Sequence, residues 1–116
     1  EHTTFLGRVS DERLRELYRT ATAFVQLHEE DFGITVVEAL ACGCPVMVHC
    51  TGGHAEIVND GVGVQVDAEN EEAIDEGLVQ LLKHPWEAEQ AVNRAQEFAP
   101  SNFDEGIKSA LRQLGF

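Results

Sequence analysis

The sequence predicts an α/β protein with an open, mostly parallel sheet flanked by helices, and three observations lead to this prediction. Short apolar segments alternate along the chain with segments whose apolar residues recur at helical spacing. The apolar segments are as short as strands buried in a parallel sheet. The 116 residues are 43% hydrophobic and 25% charged, as in a globular domain. Disordered, collagen-like and coiled-coil chains are thereby excluded, and every apolar run is too short to cross a bilayer.

The first part of the chain is predicted to form a strand, a helix and a second strand. Residues 4–6 have the pattern of a strand end, and Ser10 is a good helix N-cap. Asp11 and Glu12 follow it and favour the positive end of the helix dipole. The apolar face of this helix consists of Leu14, Leu17, Tyr18 and Ala21. Residues 23–27 are the short apolar segment of a buried strand.

The middle of the chain continues the alternation of helices and strands. Residues 33–41 are predicted to be helical, with Gly43 as the terminator. Residues 45–50 form a buried strand, residues 54–58 a short helix and residues 62–66 another strand. Alternating strands and helices of this kind predict parallel pairing.

The last part of the chain is predicted to be helical. A helix over residues 67–83 has an apolar stripe of Ile74, Leu78, Leu81 and Leu82. Pro85 suits the first turn of the next helix, which Pro100 ends. The inward face of that helix consists of Ala88, Ala91, Val92, Ala95 and Phe98. Ser101 is expected to cap a final helix. We expect residues 1–116 to form a single, incomplete domain. The chain starts without Met, as a fragment or a processed product would.

The charge of the chain is strongly acidic and unevenly distributed. The chain contains eight Lys and Arg residues and 21 Asp and Glu residues, so its net charge is −13. Nucleic acid and anionic membrane surfaces are therefore not expected as non-specific partners, since both require a basic surface. No Lys or Arg lies between Thr20 and Leu82, so the middle of the chain has only His28, His49 and His54 as possible cations.

Three cysteines, Cys42, Cys44 and Cys50, are too few and too close together for a disulfide framework, and they suit a reducing compartment. Together with His49 and His54 they raise the question of a zinc site. Their spacing does not match the usual arrangement of zinc ligands. We therefore predict small buried cysteines and no metal site.

Candidate site residues lie after the second predicted strand. In open parallel sheets, ligands bind beyond the carboxyl ends of the strands. Gly33 allows the backbone to come close to a ligand, and the free amides of the following helical turn point toward it. Glu30 in the loop and Glu38 in the helix are expected to face one crevice, because helical side chains lean toward the N-terminus. Two carboxylates with free amides suit a polyhydroxylated ligand, since carboxylates accept from a vicinal diol and amides donate to sugar or phosphate oxygens.

The alternative is that these carboxylates are ordinary solvated residues, which are common on protein surfaces. Glu38, however, lies within the nearly continuous apolar segment 36–41. A lone carboxylate in such a helix requires a partner, which favours the functional interpretation.

Several short motifs, read together, resemble one family. In chain order they are residues 5–10, 14 and 18, 30, 32–33, 38–43, 45–46, 52–53, 56–58 and 60–61. With them, residues 5–82 resemble the C-terminal, donor-binding domain of the retaining family 4 (group 1) glycosyltransferases of GT-B architecture. The resemblance implies a partial doubly wound, Rossmann-like sheet flanked by helices. The Gly52-Gly53 turn belongs to the shared pattern and equally suits a tight strand-to-helix turn.

The resemblance implies a role for each candidate residue. Glu30 would be the catalytic residue that holds hydroxyls of the donor sugar, and Glu38 would bind the ribose hydroxyls. Val37 would pack on the nucleoside, and Val9, in the loop before Ser10, would border the base. The backbone amides that would touch the sugar and the nearer phosphate are those of Phe32, Gly33 and Ile34. The chain departs from the family at Gln26-Leu27-His28, where Pro-Ser or Pro-Ala is usual.

The resemblance also implies what surrounds the chain. A nucleoside diphosphate sugar would be the donor substrate, with no metal or other cofactor. Two strand–helix units before Phe5, carrying the cations for the diphosphate, and the domain that binds the acceptor hydroxyl lie outside the chain. Localisation would be cytoplasmic, or at a membrane through the missing part. Alternatives are a non-catalytic module that binds a nucleotide sugar or a partner subunit, and a structural domain without a ligand.

The missing units would leave the edge of residues 23–27 without its neighbour in the family's 3-2-1-4-5-6 strand order. We therefore expect one of three outcomes. Residues 5–6 move to this edge, a second copy pairs with it in a homodimer, or the chain is part of a longer protein.

Overall fold

A computed structural model of the chain describes residues 3–28 and 33–98. Within these residues the chain forms three strands and five helices. The strands are β1 (Phe24–Gln26), β2 (Val46–His49) and β3 (Gly63–Val66). The helices are α1 (Asp11–Thr20), α2 (Ile34–Ala41), α3 (Gly53–Ile57), α4 (Glu71–Lys83) and α5 (Ala88–Glu97). None of these helices is both long and apolar enough to span a membrane.

The strands form one open parallel sheet in the order β1-β2-β3, which confirms the predicted fold class. Phe24 is paired with Val46, and Val46 is paired with Gly63 on its other side. The fold is that of a partial Rossmann-like domain, with each strand connected to the next through a helix on one face. All carboxyl ends of the strands therefore meet at the same edge of the sheet.

Two apolar layers enclose the sheet because the side chains of β2 alternate between its faces. Val46 and Val48 belong to the larger core with α2, α3 and α5, and Met47 belongs to the smaller core with α4. All three side chains are fully buried, as expected for a central parallel strand.

Side-chain and glycine caps set several helix boundaries. The hydroxyl of Ser10 accepts from the Arg13 N–H (3.1 Å), which confirms Ser10 as the N-cap of α1. Gly43 has a φ of 82° and donates to the Leu40 carbonyl, while Cys44 donates to the Ala39 carbonyl. This pair of hydrogen bonds is a Schellman motif, and it confirms Gly43 as the terminator of α2.

The predicted strand at residues 4–6 is wrong. These residues are irregular, Phe5 is 93% exposed and Leu6 is 50% exposed. A strand needs a neighbour to satisfy its backbone groups, and in the described part of the chain none lies beside residues 4–6. The outcome in which these residues move to the free edge of β1 is therefore also wrong.

Two helix starts in the last part differ from the prediction. The helix predicted at residues 67–83 begins at Glu71, because Asn70 accepts from the Ala73 N–H (3.2 Å) and acts as the N-cap. Asp67 instead accepts from the Glu69 N–H in a turn (3.0 Å). Leu82, predicted to face inward, is 63% exposed.

Pro85 is not in the first turn of a helix, because α5 begins only at Ala88. Trp86 explains why α5 starts later. Its indole N–H donates to the Leu81 carbonyl (2.7 Å), and its ring packs on the core beneath α4. The chain must therefore run back along the end of α4 before α5 starts. Pro100 and the helix predicted after Ser101 lie outside the described residues.

Candidate functional site

The first turn of α2 lies at the carboxyl edge of the sheet, and its backbone N–H groups have no partner within the helix. The hydrogen-bond ladder of α2 begins with Val37, whose N–H donates to the Gly33 carbonyl (3.0 Å). The N–H groups of residues 34–36 precede this ladder, as in every helix N-terminus. The first turn of α2 contains no acidic residue, whereas those of α1 and α4 contain their own. The positive end of the α2 dipole is therefore not offset from within the helix.

Gly33 is required where α2 starts, for two reasons that the structure shows. Its φ is 81°, in the left-handed region that favours glycine. A Cβ at this position would lie 2.9 Å from the Cα of His54 and 2.8 Å from the Cδ1 of Ile57. The close approach predicted for Gly33 is therefore made to α3, which packs directly behind the start of α2. Gly52 caps α3 with a φ of 102°, which fits the Gly52-Gly53 pair as a tight strand-to-helix turn.

Glu38 lies one turn after Ile34 on the same face of α2, and its side chain is partly buried. Burial, and secondly the charge of Asp11, raises the pKa of the Glu38 carboxyl above its usual value. Burial, and secondly the charge of Glu38, likewise raises the pKa of Tyr18 in α1. Among the described residues no side chain or backbone group donates a hydrogen bond to Glu38. We call the surface formed by residues 34–36 and Glu38 the α2 site.

The other predicted site residues are distributed unevenly around the α2 site. Ile34 is 40% exposed beside Glu38, and Val9 is partly buried in the loop that leads to the N-cap of α1. Val37 is 2% exposed and belongs to the core, which leaves its side chain little surface for a nucleoside. Glu30 and Phe32 lie outside the described residues, so their roles stay predictions.

His49, His54 and two of the cysteines make internal contacts, whereas Cys50 is exposed, so the prediction of buried cysteines is wrong for Cys50. His49 accepts the Ala68 N–H at Nδ1 (3.1 Å), and the Nε2–H of His54 donates to the His49 carbonyl (3.0 Å). Burial raises the pKa of the Cys44 thiol to about 11, so it stays protonated at neutral pH. Burial also raises the pKa of Cys42. In residues 3–28 and 33–98 no three His, Cys, Asp or Glu side chains are grouped as metal ligands.

A polar network next to the α2 site escaped the sequence analysis. The side chain of Gln26, at the end of β1, is buried and contacts both Thr35 and His28. The hydroxyl of Thr35 donates to Gln26 Oε1 (2.8 Å), and Gln26 Nε2 lies 3.0 Å from His28 Nε2. A glutamine within an otherwise apolar strand was the available signal, since a buried amide needs partners. Its partners could not be deduced because they depend on how α2 docks against β1.

Comparison with known proteins assigns the chain to a family. The family model of the group 1 glycosyl transferases matches residues 1–98. This matched region contains the parallel sheet, helix α2 with Gly33 at its start, and Glu38. The chain belongs to the group 1 glycosyltransferase family.

Individual relatives agree with this assignment. The chain is 37% identical over 113 residues, 93% of its length, to a D-inositol 3-phosphate glycosyltransferase of Acidothermus cellulolyticus, of which this covers 25%. It is 37% identical over 95 residues, 80% of its length, to an uncharacterized glycosyltransferase of Methanocaldococcus jannaschii, covering 24% of that protein. It is 52% identical over 58 residues, 45% of its length, to sucrose synthase 1 of Hordeum vulgare, covering 7% of that protein. The chain thus spans about a quarter or less of these relatives.

Proposed function

We propose that the chain is the donor-binding part of a glycosyltransferase that transfers a hexose from a nucleoside diphosphate sugar to a hydroxyl acceptor with retention. The α2 site holds the donor. The backbone N–H groups of Gly33 and Ile34, with that of Phe32, donate to the sugar and to the nearer phosphate. Glu38 accepts from the ribose hydroxyls, Val9 borders the base, and Glu30 holds hydroxyls of the transferred sugar.

The observation that carries this proposal is the partly buried carboxylate of Glu38, whose pKa is raised. A partly buried carboxylate whose pKa is raised by burial is unfavourable for the folded chain unless a ligand compensates it. Two hydroxyl groups of a ribose are suitable donors, because a carboxylate has acceptor sites for both. Ile34 and Glu38 share one face, so the same nucleotide can reach the first-turn amides.

The charge distribution supports the further proposal that additional cations complete the site. The departing nucleoside diphosphate must be stabilised in the transition state. A helix dipole contributes only about 0.3–1 kcal/mol per charge when exposed, and up to about 2 when partly buried. No Lys or Arg lies between Thr20 and Leu82, and Arg94 donates to the Ile57 and Glu56 carbonyls. We therefore propose that residues outside this chain supply further cations and the acceptor-binding surface.

A transfer assay with the complete protein tests the proposal. The protein is incubated with UDP-, GDP- and ADP-hexoses and a set of hydroxyl acceptors, and the released nucleoside diphosphate and the anomeric configuration of the product are measured. We expect one donor class to react and the anomeric configuration to be kept. Release of no nucleotide from any donor would contradict catalysis, and nucleotide-sugar binding without release would favour the non-catalytic module.

A pair of matched variants ties the activity to the α2 site. Glu38→Gln is expected to weaken binding of the free nucleoside diphosphate by about 1–3 kcal/mol, the usual loss for a hydrogen bond to a charged group. Glu76→Gln makes the same change of charge at an exposed position in the middle of α4 and is expected to leave binding unaltered. Equal affinities of both variants and the parent would exclude Glu38 as the ribose ligand.

A further inference from the structure

We propose that Gln26 is a positioning residue for the α2 site, an inference that rests on the proposed function. Gln26 is the last residue of β1, and its side chain is only 8% exposed. It projects to the same face of the sheet as Phe24, the face on which α2 packs. A polar side chain buried to this degree is stable only when both ends of its amide have partners.

The amide of Gln26 joins two elements that flank the α2 site. Thr35, in the first turn of α2, donates from Oγ1 to Gln26 Oε1 (2.8 Å). The Nε2 group is thereby left to donate to Nε2 of His28 (3.0 Å), which follows β1. One planar group thus sets the separation between the carboxyl end of β1 and the helical turn whose amides hold the diphosphate. A shift of this turn would move the Ile34 donor and displace the N-cap Gly33 that precedes it.

The same amide selects the tautomer of His28. Because Nε2 of His28 accepts from Gln26, the ring proton of neutral His28 resides on Nδ1. Gln26 thereby fixes which ring nitrogen of His28 carries the proton.

The chain contains a matched control for this role. Gln65, in β3, also ties a strand to a helix with its amide: its Nε2 donates to the carbonyls of Ala55 and Val58, both at 2.7 Å. These two carbonyls belong to α3 and its C-cap, so Gln65 makes no hydrogen bond to the first turn of α2 and supports it only through the packing of α3 behind Gly33. Losing the Gln65 contacts would remove two hydrogen bonds of an exposed glutamine and leave the link between Gln26 and Thr35 in place.

The test compares Gln26→Met, Thr35→Val, the double variant and Gln65→Met in the complete protein. For each we would measure the Kd of UDP, GDP and ADP, the KM and kcat with the preferred nucleotide sugar, and the melting temperature. We expect Gln26→Met and Thr35→Val each to raise Kd and KM about three- to tenfold, as for the loss of a neutral hydrogen bond, with kcat nearly unchanged. The Kd and KM of the double variant should be no higher than those of the more impaired single variant, because both substitutions remove the same hydrogen bond between Thr35 and Gln26. Gln65→Met should lower only the melting temperature.

Ring ¹⁵N shifts of His28 provide a measurement without ligand. We expect an unprotonated Nε2 in the parent and a change of tautomer in Gln26→Met. Unchanged Kd and KM in both Gln26→Met and Thr35→Val would overturn the proposal, as would an equal rise in Gln65→Met. If Gln26→Met does not fold, Thr35→Val decides alone, because it keeps the side-chain shape. A parent protein that binds none of the three nucleotides would overturn the proposed function as well.

Discussion

Glu38 combines an unfavourable state in the folded chain with the geometry of a ligand-binding residue. The raised pKa means that the folded state holds a proton which the unfolded state releases in the pH range just above its usual value of 4.5. The contribution of Glu38 to the free energy of unfolding is therefore fully present below that pH range. It falls as the pH rises through the range. Residues that serve a ligand often carry such a cost to stability.

The first prediction follows from this decrease in stability with rising pH. Glu38→Gln should raise the free energy of unfolding at pH 7, where the parent carries the buried charge, and should change it much less at pH 4. Urea unfolding at the two pH values measures the difference. Glu76→Gln, which is exposed, should show no comparable gain. A loss of stability in Glu38→Gln at pH 7 would indicate that a partner in the fold holds the carboxylate.

The cysteines give a second prediction for single residues. Cys50 is exposed, whereas Cys44 is buried with a pKa of about 11. Because the thiolate is the reactive form, alkylation at pH 8 should modify Cys50 first and Cys44 only on unfolding. Mass spectrometry of peptides after timed reaction with iodoacetamide measures the order. Early modification of Cys44 in the folded protein would contradict the packing of α2 against the sheet.

Among the elements, α3 depends on a side chain that arrives from α5. Arg94 donates from Nε to the Ile57 carbonyl (2.7 Å) and from a terminal nitrogen to the Glu56 carbonyl (3.0 Å). These carbonyls lie at the C-terminal end of α3, where backbone acceptors have no partner within the helix. The guanidinium also stacks over the Phe98 ring at 4.8 Å. Arg94 therefore holds the helix against which Gly33 packs.

The third prediction is that Arg94→Met lowers the free energy of unfolding by about 2 kcal/mol, as for loss of hydrogen bonds from a charged group. Arg13→Met is the control, because the Arg13–Glu16 ion pair is exposed and worth at most about 0.5 kcal/mol. Denaturant unfolding of the two variants measures the difference. Equal losses would show that Arg94 contributes no more than a surface ion pair.

Helix α4 lies close to the sheet because of Gly77. A Cβ there would lie 2.5 Å from Cγ1 of Val66 and 3.0 Å from Sδ of Met47. Alanine is the better helix former by about 1 kcal/mol, yet overpacking of a filled core costs about 1–3 kcal/mol. The fourth prediction is that Gly77→Ala lowers the melting temperature, whereas Asp75→Ala, exposed on the same helix, does not. A higher melting temperature for Gly77→Ala would mean that α4 can move away at little cost.

The elements also show what sequence patterns can and cannot predict here. Strands β2 and β3 followed from short apolar segments, and α1 and α2 followed from Ser10 and Gly43, because the responsible interactions are local. The strand at residues 4–6 failed because a strand depends on a neighbour that the pattern does not contain. The positions of α3 and α4 against the sheet depend on Gly33 and Gly77, whose contacts are distant in sequence. The Gln26 network was missed for the same reason.

At the scale of the whole molecule, the outer edge of β1 has no partner strand among the described residues. Val25 on this strand is 43% exposed. Unpaired edges with apolar side chains favour pairing with another chain. The fifth prediction is that the 116-residue chain self-associates and that Val25→Lys weakens the association. Sedimentation equilibrium measures the mass, and a stable monomer over a wide concentration range would contradict pairing at this edge.

The central claim is that one nucleotide contacts both the first turn of α2 and Glu38. A crystal structure of the complete protein with its preferred nucleoside diphosphate tests this claim most directly. We predict that the Glu38 carboxylate lies within hydrogen-bonding distance of both ribose hydroxyls, about 2.5–3.0 Å, and that phosphate oxygens face the N–H groups of residues 33 and 34. A nucleotide bound elsewhere, or a Glu38 side chain that contacts only α1 in the complex, would contradict it.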